Sequence, residues 1–232
     1  MKTEKRGPGS TQKNSIGLAL FDMDGLLFDT ENLFLSMSEE TQREMGYDIP
    51  LDIHLETIGR TFDEVRTIFL QQMGRNFPIQ RFFDRTNKKI YKRIEEQGIP
   101  MKKGFHELLA SLKQRGITSA LASSSPLFYI RRYLQLADLE NSFFVIVGGD
   151  EVEQGKPAPD IFLLAAERAE IDPKECVVFE DSNNGIRAAH AAGMRPVMVP
   201  DIKAPEEEVR TMVYRIYSDL SEAAADIDNI LL

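Results

Sequence analysis

Two aspartates stand two residues apart at the end of an apolar run, in "LALFDMDGLLFDTE" (residues 18 to 31). Extended backbone sends alternate side chains to the same side, so Asp22 and Asp24 face one way if the run is a strand. Carboxylates placed this closely at the end of a buried segment lose hydration and repel each other. A hard divalent cation with oxygen ligands relieves both costs, and Mg²⁺ suits a site that keeps waters and a substrate oxygen. One carboxylate of such a pair can attack phosphorus as a nucleophile. The other can protonate the leaving oxygen and later take a proton from the attacking water. Gly25 permits a tight turn directly after the pair.

Other polar groups follow other apolar runs. Ser123-Ser124-Ser125 come after "ITSALA", Gly148-Gly149-Asp150 and then "QGKPAP" after "FFVIV", and Glu180-Asp181-Ser182 after "CVVF". The run "RPVMVP" is followed by little that invites chemistry. Carboxylates that hold a cation leave Lys156 and the Ser123 hydroxyl free for an anion. A phosphate fits best, because cation, ammonium, hydroxyl and backbone N–H groups can share its oxygens as charge shifts during transfer.

These groups need a scaffold that brings strand ends together. From residue 104 onward, helical segments such as "FHELLASLKQRG" and "APDIFLLAAERAE" alternate with short continuous apolar runs. Alternation of this kind predicts right-handed βαβ crossovers and a parallel sheet with helices on both faces. Strands without polar alternation are those buried on both sides. In open α/β sheets ligands bind beyond the carboxyl ends of the strands, where the polar groups fall. Between residues 32 and 100 the pattern is helical throughout, with "ENLFLSMSEETQREMG", "TFDEVRTIFLQQMG" and "IQRFFDRTNKKIYKRIEEQG" each stopping at glycine. The expected organisation is a Rossmann-like α/β core domain (14–31 and 101–232) with an inserted all-helical cap domain (32–100). Residues 1–13 read as a flexible tail.

The chain has 232 residues, 42% hydrophobic and 28% charged, the composition of a soluble globular protein. With a net charge of −9 and no long Lys/Arg stripe, no nucleic-acid partner is expected. There is neither an apolar stretch of membrane-spanning length nor a visible signal peptide, so no membrane partner is expected and the location reads as cytoplasmic. Cys176, the one cysteine, lies in an apolar strand-like run and reads as a buried small hydrophobe.

Four stations in order, "FDMDGLLFDTE", "LASSS", "GKPAPDIF" and "FEDSNNGIRAAHAAGM", resemble the motifs of the haloacid dehalogenase superfamily of phosphotransferases over roughly residues 16 to 200. The helical insertion resembles that family's cap. The resemblance implies a Mg²⁺-dependent phosphatase working through an aspartyl-phosphate on a small phosphorylated metabolite, a sugar or nucleoside phosphate. It makes Asp22 the nucleophile and Asp24 the general acid/base whose carbonyl also reaches the metal. Ser123 and Lys156 bind phosphate. Asp181 is a metal ligand, with Glu180 ligating beside it directly or through water. An acid at position 24 argues against carbon–halogen cleavage.

The wording also resembles the β-phosphoglucomutases, which leaves a mutase as the alternative. Those enzymes carry a cap histidine five residues after the aspartate of the "DT" pair, where this chain has Phe34. They also carry an arginine where this chain has Phe62. A phosphatase is therefore preferred, with Arg60 as a cap residue for substrate and Arg66 and Lys88 as weaker candidates. A non-catalytic binding module is the remote alternative, and it would be expected to lack Asp22 or Lys156. The family reading points to a monomer. Plainer readings stand beside these: Asp181 and Ser182 as helix caps, Asp29 as a cap or hinge bond, and His54, His106 and His190 as structural or surface groups.

Overall fold

Residues 16–57 and 62–232 are described by the structure, a computed structural model; the 1–13 tail and Arg60 lie outside the described residues. The apolar runs form β1 (Leu18–Phe21), β2 (Thr118–Ser123), β3 (Val145–Gly148), β4 (Cys176–Glu180) and β5 (Arg195–Met198). With β6 (Arg215–Ile216) they make a parallel sheet in the order β3-β2-β1-β4-β5-β6. The sixth strand has two exposed residues and no periodicity to betray it, so the sequence reading missed it. β1, β3 and β5 are slightly shorter than their apolar runs. Of the residues before β3, Phe143 packs in the core without joining the ladder while Phe144 is exposed.

Both faces of the sheet are covered, which explains the unbroken hydrophobic runs. Leu18, Leu20, Ala120 and Val178 pack on one side against Ile161 and Phe162 of α7 (Asp160–Ala169) and Ala188 of α8 (Asn183–Ala191). Ala19, Phe21, Leu121 and Phe179 face the other side. There they meet Phe105 of α5 (Phe105–Gln114) and Ile130 of α6 (Leu127–Leu136). Phe21 stacks on Phe179 with ring centroids 5.1 Å apart, so the strand that ends in Asp22 is anchored immediately before it. The C-terminal α9 (Glu207–Arg210), α10 (Leu220–Ala225) and α11 (Ile227–Leu231) complete the outer layer.

Among the described residues, four helices separate β1 from α5: α1 (Thr30–Met45), α2 (Leu51–Thr57), α3 (Phe62–Met73) and α4 (Ile79–Gln97). Helix α1 stops at Gly46, whose φ of 73° is left-handed, as the glycine stop signal predicts. Helix α2 is too short to show a period of its own, but it falls within the stretch read as helical throughout. The four helices have an apolar cluster of their own, centred on Ile53, Phe69, Phe77 and Phe82. The chain crosses to them and back as a paired ribbon. Asp29 N–H donates to Pro100 O at 2.9 Å and Lys102 N–H to Leu27 O at 3.0 Å, with Phe28 bridged to Met101. No helix of the described residues is long and apolar enough to cross a membrane.

Candidate active site

The sheet order reverses direction at β1, which lies between β2 and β4, and such a switch point opens a crevice at the strands' carboxyl ends. Asp22 leaves β1 there, Ser123 ends β2, and Glu180 and Asp181 end β4. Lys156 arrives from the loop before α7. Its Nζ lies 2.5 Å from Asp22 Oδ1 and 2.8 Å from Glu180 Oε2, with all three side chains almost fully buried. The other Glu180 oxygen accepts from the Ser182 hydroxyl at 2.7 Å and the Ser182 N–H at 3.1 Å. Glu180 thus holds Lys156 in place. Ser182 does cap α8, its hydroxyl accepting from Gly185 N–H at 3.0 Å, while Asp181 is left to the site.

Asp24 is held by both oxygens. It accepts from Thr30 Oγ1 at 2.7 Å and from Ser125 Oγ at 2.8 Å, so the first residue of α1 and the loop after β2 jointly aim it. The sequence reading placed its functional weight in the serine run on Ser123 alone. Ser123 does line the cavity, buried, its hydroxyl accepting from Ser125 N–H, but Ser125 is the serine that touches an acid. Asp29 does not cap α1 through its side chain. Its Oδ1 instead accepts from Asn32 at 2.7 Å and faces Lys102 Nζ at 3.4 Å.

The electrostatics are those of a site short of positive charge. Burial pushes Asp22 up to about 8; Lys156 opposes this, while Glu180 and Asp24 add to it. Burial likewise raises Asp181 well above the carboxylate range, with Glu180, Asp22 and Glu31 adding to the effect. Glu31 is raised to about 7 by burial and by Asp24 and Asp201. Lys156 is lowered by burial but raised more by Asp22 and Glu180, so it stays protonated.

Oxygens of Asp22, Glu180 and Asp181 lie within 4.8 Å of one another, an all-oxygen donor set of the kind that Mg²⁺ prefers. Gly25, at φ 82°, leaves room on its face. A Cβ there would come within 2.6 Å of Asp181 Oδ2 and 3.3 Å of Asp201 Oδ2. Asp201 Oδ1 accepts from Lys102 Nζ at 2.6 Å, but its Oδ2 is buried with no partner among the described residues. Concentrated carboxylates, an orphaned carboxylate oxygen and an open cradle all fit a hydrated divalent cation. Asp201 follows β5, the strand end that the sequence reading found uninformative.

A cavity of about 490 Å³ rises from these residues to the helices above. Its far wall carries Phe34, Leu35, His54, Phe83 and Ile90, and Tyr91 of α4 stacks on Tyr129 of α6 with centroids 6.4 Å apart. Arg66 and Lys88 are exposed and are not among the residues that line it. His54 is not a surface group, and among the described residues it is not a satisfied core histidine either: it is 3% exposed and neither ring nitrogen has a partner there, a defect of about 1–3 kcal/mol for each orphaned group.

The family model described as haloacid dehalogenase-like hydrolase matches residues 19–199, a span that holds every strand end of the site. The chain is a haloacid dehalogenase-like hydrolase. Among its relatives, hexitol phosphatase B of Escherichia coli K12 is 34% identical over 192 residues, covering 82% of this chain and 85% of its own. A phosphorylated carbohydrates phosphatase of Thermotoga maritima is 34% identical over 178 residues, covering 77% and 82%. The crystal structure of CbbY from Rhodobacter sphaeroides in complex with phosphate superimposes with a TM-score of 0.75 at 28% identity, over 90% of this chain and 96% of that one. In this hydrolase the α/β Rossmann-like sheet and the order of the four stations agree with the sequence reading.

Proposed function

We propose that this hydrolase is a Mg²⁺-dependent phosphomonoesterase that passes through an aspartyl-phosphate on Asp22, with a sugar or polyol phosphate as substrate. The observation that carries the reading is the ion pair of Lys156 with Asp22 and Glu180, set beside Asp181 at the floor of a cavity large enough for a small ester. Asp22, Asp181 and the Asp24 carbonyl would hold the metal, with Glu180 next to them. When bound, Mg²⁺ supplies the positive charge that lets these carboxylates ionise together beside a phosphate dianion.

The chain's own groups do the rest. Asp22, fixed by Lys156, attacks phosphorus while Lys156 and Ser123 hold the phosphate oxygens. Asp24, aimed by Thr30 and Ser125, gives a proton to the leaving alcohol and then takes one from the water that cleaves the acyl phosphate. Residues 14–31 and 101–232 act as the catalytic core, and 32–100 as a cap that excludes water and reads the leaving group. Arg60, outside the described residues, remains a candidate for that cap. A mutase finds less support, because the position where one would carry a histidine is Phe34, stacked on Phe83 at 5.9 Å in the cavity wall.

The test is phosphate release from a panel of sugar, polyol and nucleoside monophosphates, with Mg²⁺ and with EDTA. Metal-dependent turnover of one class is the expected result. Absence of turnover on every ester in the panel would return the protein to a binding role.

A further inference from the structure

Away from the phosphate site, apolar side chains such as Phe34, Leu35 and Ile90 line the cavity together with Thr57, Asn87 and His54. The imidazole sits among three phenyl rings: Phe34 at 6.2 Å, Phe69 at 5.7 Å and Phe82 at 6.3 Å between centroids. Neither Nδ1 nor Nε2 has a hydrogen-bond partner among the described residues. A phenylalanine at this position would fill the same aromatic box and leave nothing unpaired. A local rule broken beside a ligand cavity, where the apolar alternative is at hand, points to a group kept for the ligand.

Burial favours the neutral ring over the imidazolium, against the pull of Glu39. A neutral imidazole offers one N–H donor and one bare nitrogen acceptor. An alcohol, itself donor and acceptor, can use both sides of that offer, whereas a carboxylate or a second phosphate can use only the donor. We infer that His54 is a specificity-determining residue that hydrogen-bonds a hydroxyl of the leaving group, which makes the substrate a polyhydroxylated phosphate monoester. The inference rests on the phosphatase reading and adds to it the group that recognises the alcohol. Both nitrogens are buried in this conformation, and of the three neighbouring rings Phe34 is the one that lines the cavity. Hydroxyl binding therefore requires a neighbouring group to move aside.

The experiment compares kcat/KM for glucitol 6-phosphate and n-hexyl phosphate, esters of equal chain length with and without hydroxyls, at saturating Mg²⁺. The proteins are the native chain, His54→Phe and His54→Gln. The native chain should prefer the polyol ester. In His54→Phe that preference should fall about tenfold while Tm stays level or rises, and His54→Gln, which keeps a donor and an acceptor, should recover most of it. A structural role, with a buried water serving His54, predicts instead a lower Tm and an unchanged preference. That result, or a His54→Phe protein that does not fold, overturns the inference. A native chain that hydrolyses hexyl phosphate but does not favour the polyol overturns it too, leaving the phosphatase reading intact. Failure of the native chain on both esters and on the wider panel overturns both.

Discussion

Gly185→Ala separates local from tertiary control at this site, because the two predict opposite signs. Gly185 is the third residue of α8 in ordinary helical backbone, where alanine should gain up to about 1 kcal/mol. A Cβ at Gly185, however, would fall inside the Glu180 carboxylate. That carboxylate is 1% exposed and cannot move without giving up Lys156 at 2.8 Å and the Ser182 hydroxyl at 2.7 Å. Hydrogen bonds to charged groups contribute about 1.5–3 kcal/mol each, so losing both outweighs the helix gain by about 2–5 kcal/mol.

For a chain of this size the corresponding drop in Tm is on the order of 10 °C. Lys156, released from one of its two carboxylates, should shift relative to Asp22 and lower kcat by about a hundredfold. Thermal unfolding and phosphate release on the same preparation read both effects. Repeating the substitution in Glu180→Ala, where the space is free, should make it neutral or stabilising. A raised Tm for Gly185→Ala in the native background would refute the account of how Lys156 is held.

Asp22→Asn should leave a folded protein with phosphate release reduced at least about a thousandfold, and activity within tenfold of native would remove Asp22 as nucleophile. Cys176 is buried, and burial together with Asp172 and Glu175 pushes its thiol up to about 12. Its reaction with a disulfide reagent at pH 8 should therefore be negligible in the native protein and stoichiometric in denaturant; rapid native labelling would contradict its placement in the sheet. Supplying a sugar 1,6-bisphosphate should not elicit conversion of β-glucose 1-phosphate to glucose 6-phosphate, and rapid conversion would favour the mutase.

What could be read in the sequence was set by where signals repeat. Asp22, Ser123, Lys156 and Glu180–Asp181 each follow a short, largely apolar run that marks a doubly buried strand, so a topological rule places them together. The residues missed are single polar groups without such a frame. Asp201 comes two residues after Val199 in an unremarkable loop, and only the fold brings its Oδ2 over Gly25. Ser125 looks like turn filler until its hydroxyl is seen on Asp24. His54 sits in a seven-residue helix too short for a periodic signal, and nothing in "LDIHLET" says that the ring ends in an aromatic box.

The ribbon that joins sheet and helices bears on how the two sides of the cavity communicate. Lys102, on the returning crossing, reaches Asp201 at 2.6 Å and Asp29 on the outgoing crossing at 3.4 Å. Asp201 stands beside the acidic pocket, and Asp29 immediately precedes Thr30, whose hydroxyl holds Asp24. One ammonium therefore links a carboxylate at the site to both chain crossings. Because the crossings are also paired through their backbones, movement of α1–α4 relative to the sheet must bend them together. Any such movement pulls on Thr30, and hence on the proposed acid/base, while Asp22, anchored by Phe21 and Phe179, stays with the sheet. The proposed nucleophile is thus placed by the sheet and the proposed proton donor partly by α1, so the aim of Asp24 depends on that helix being in place.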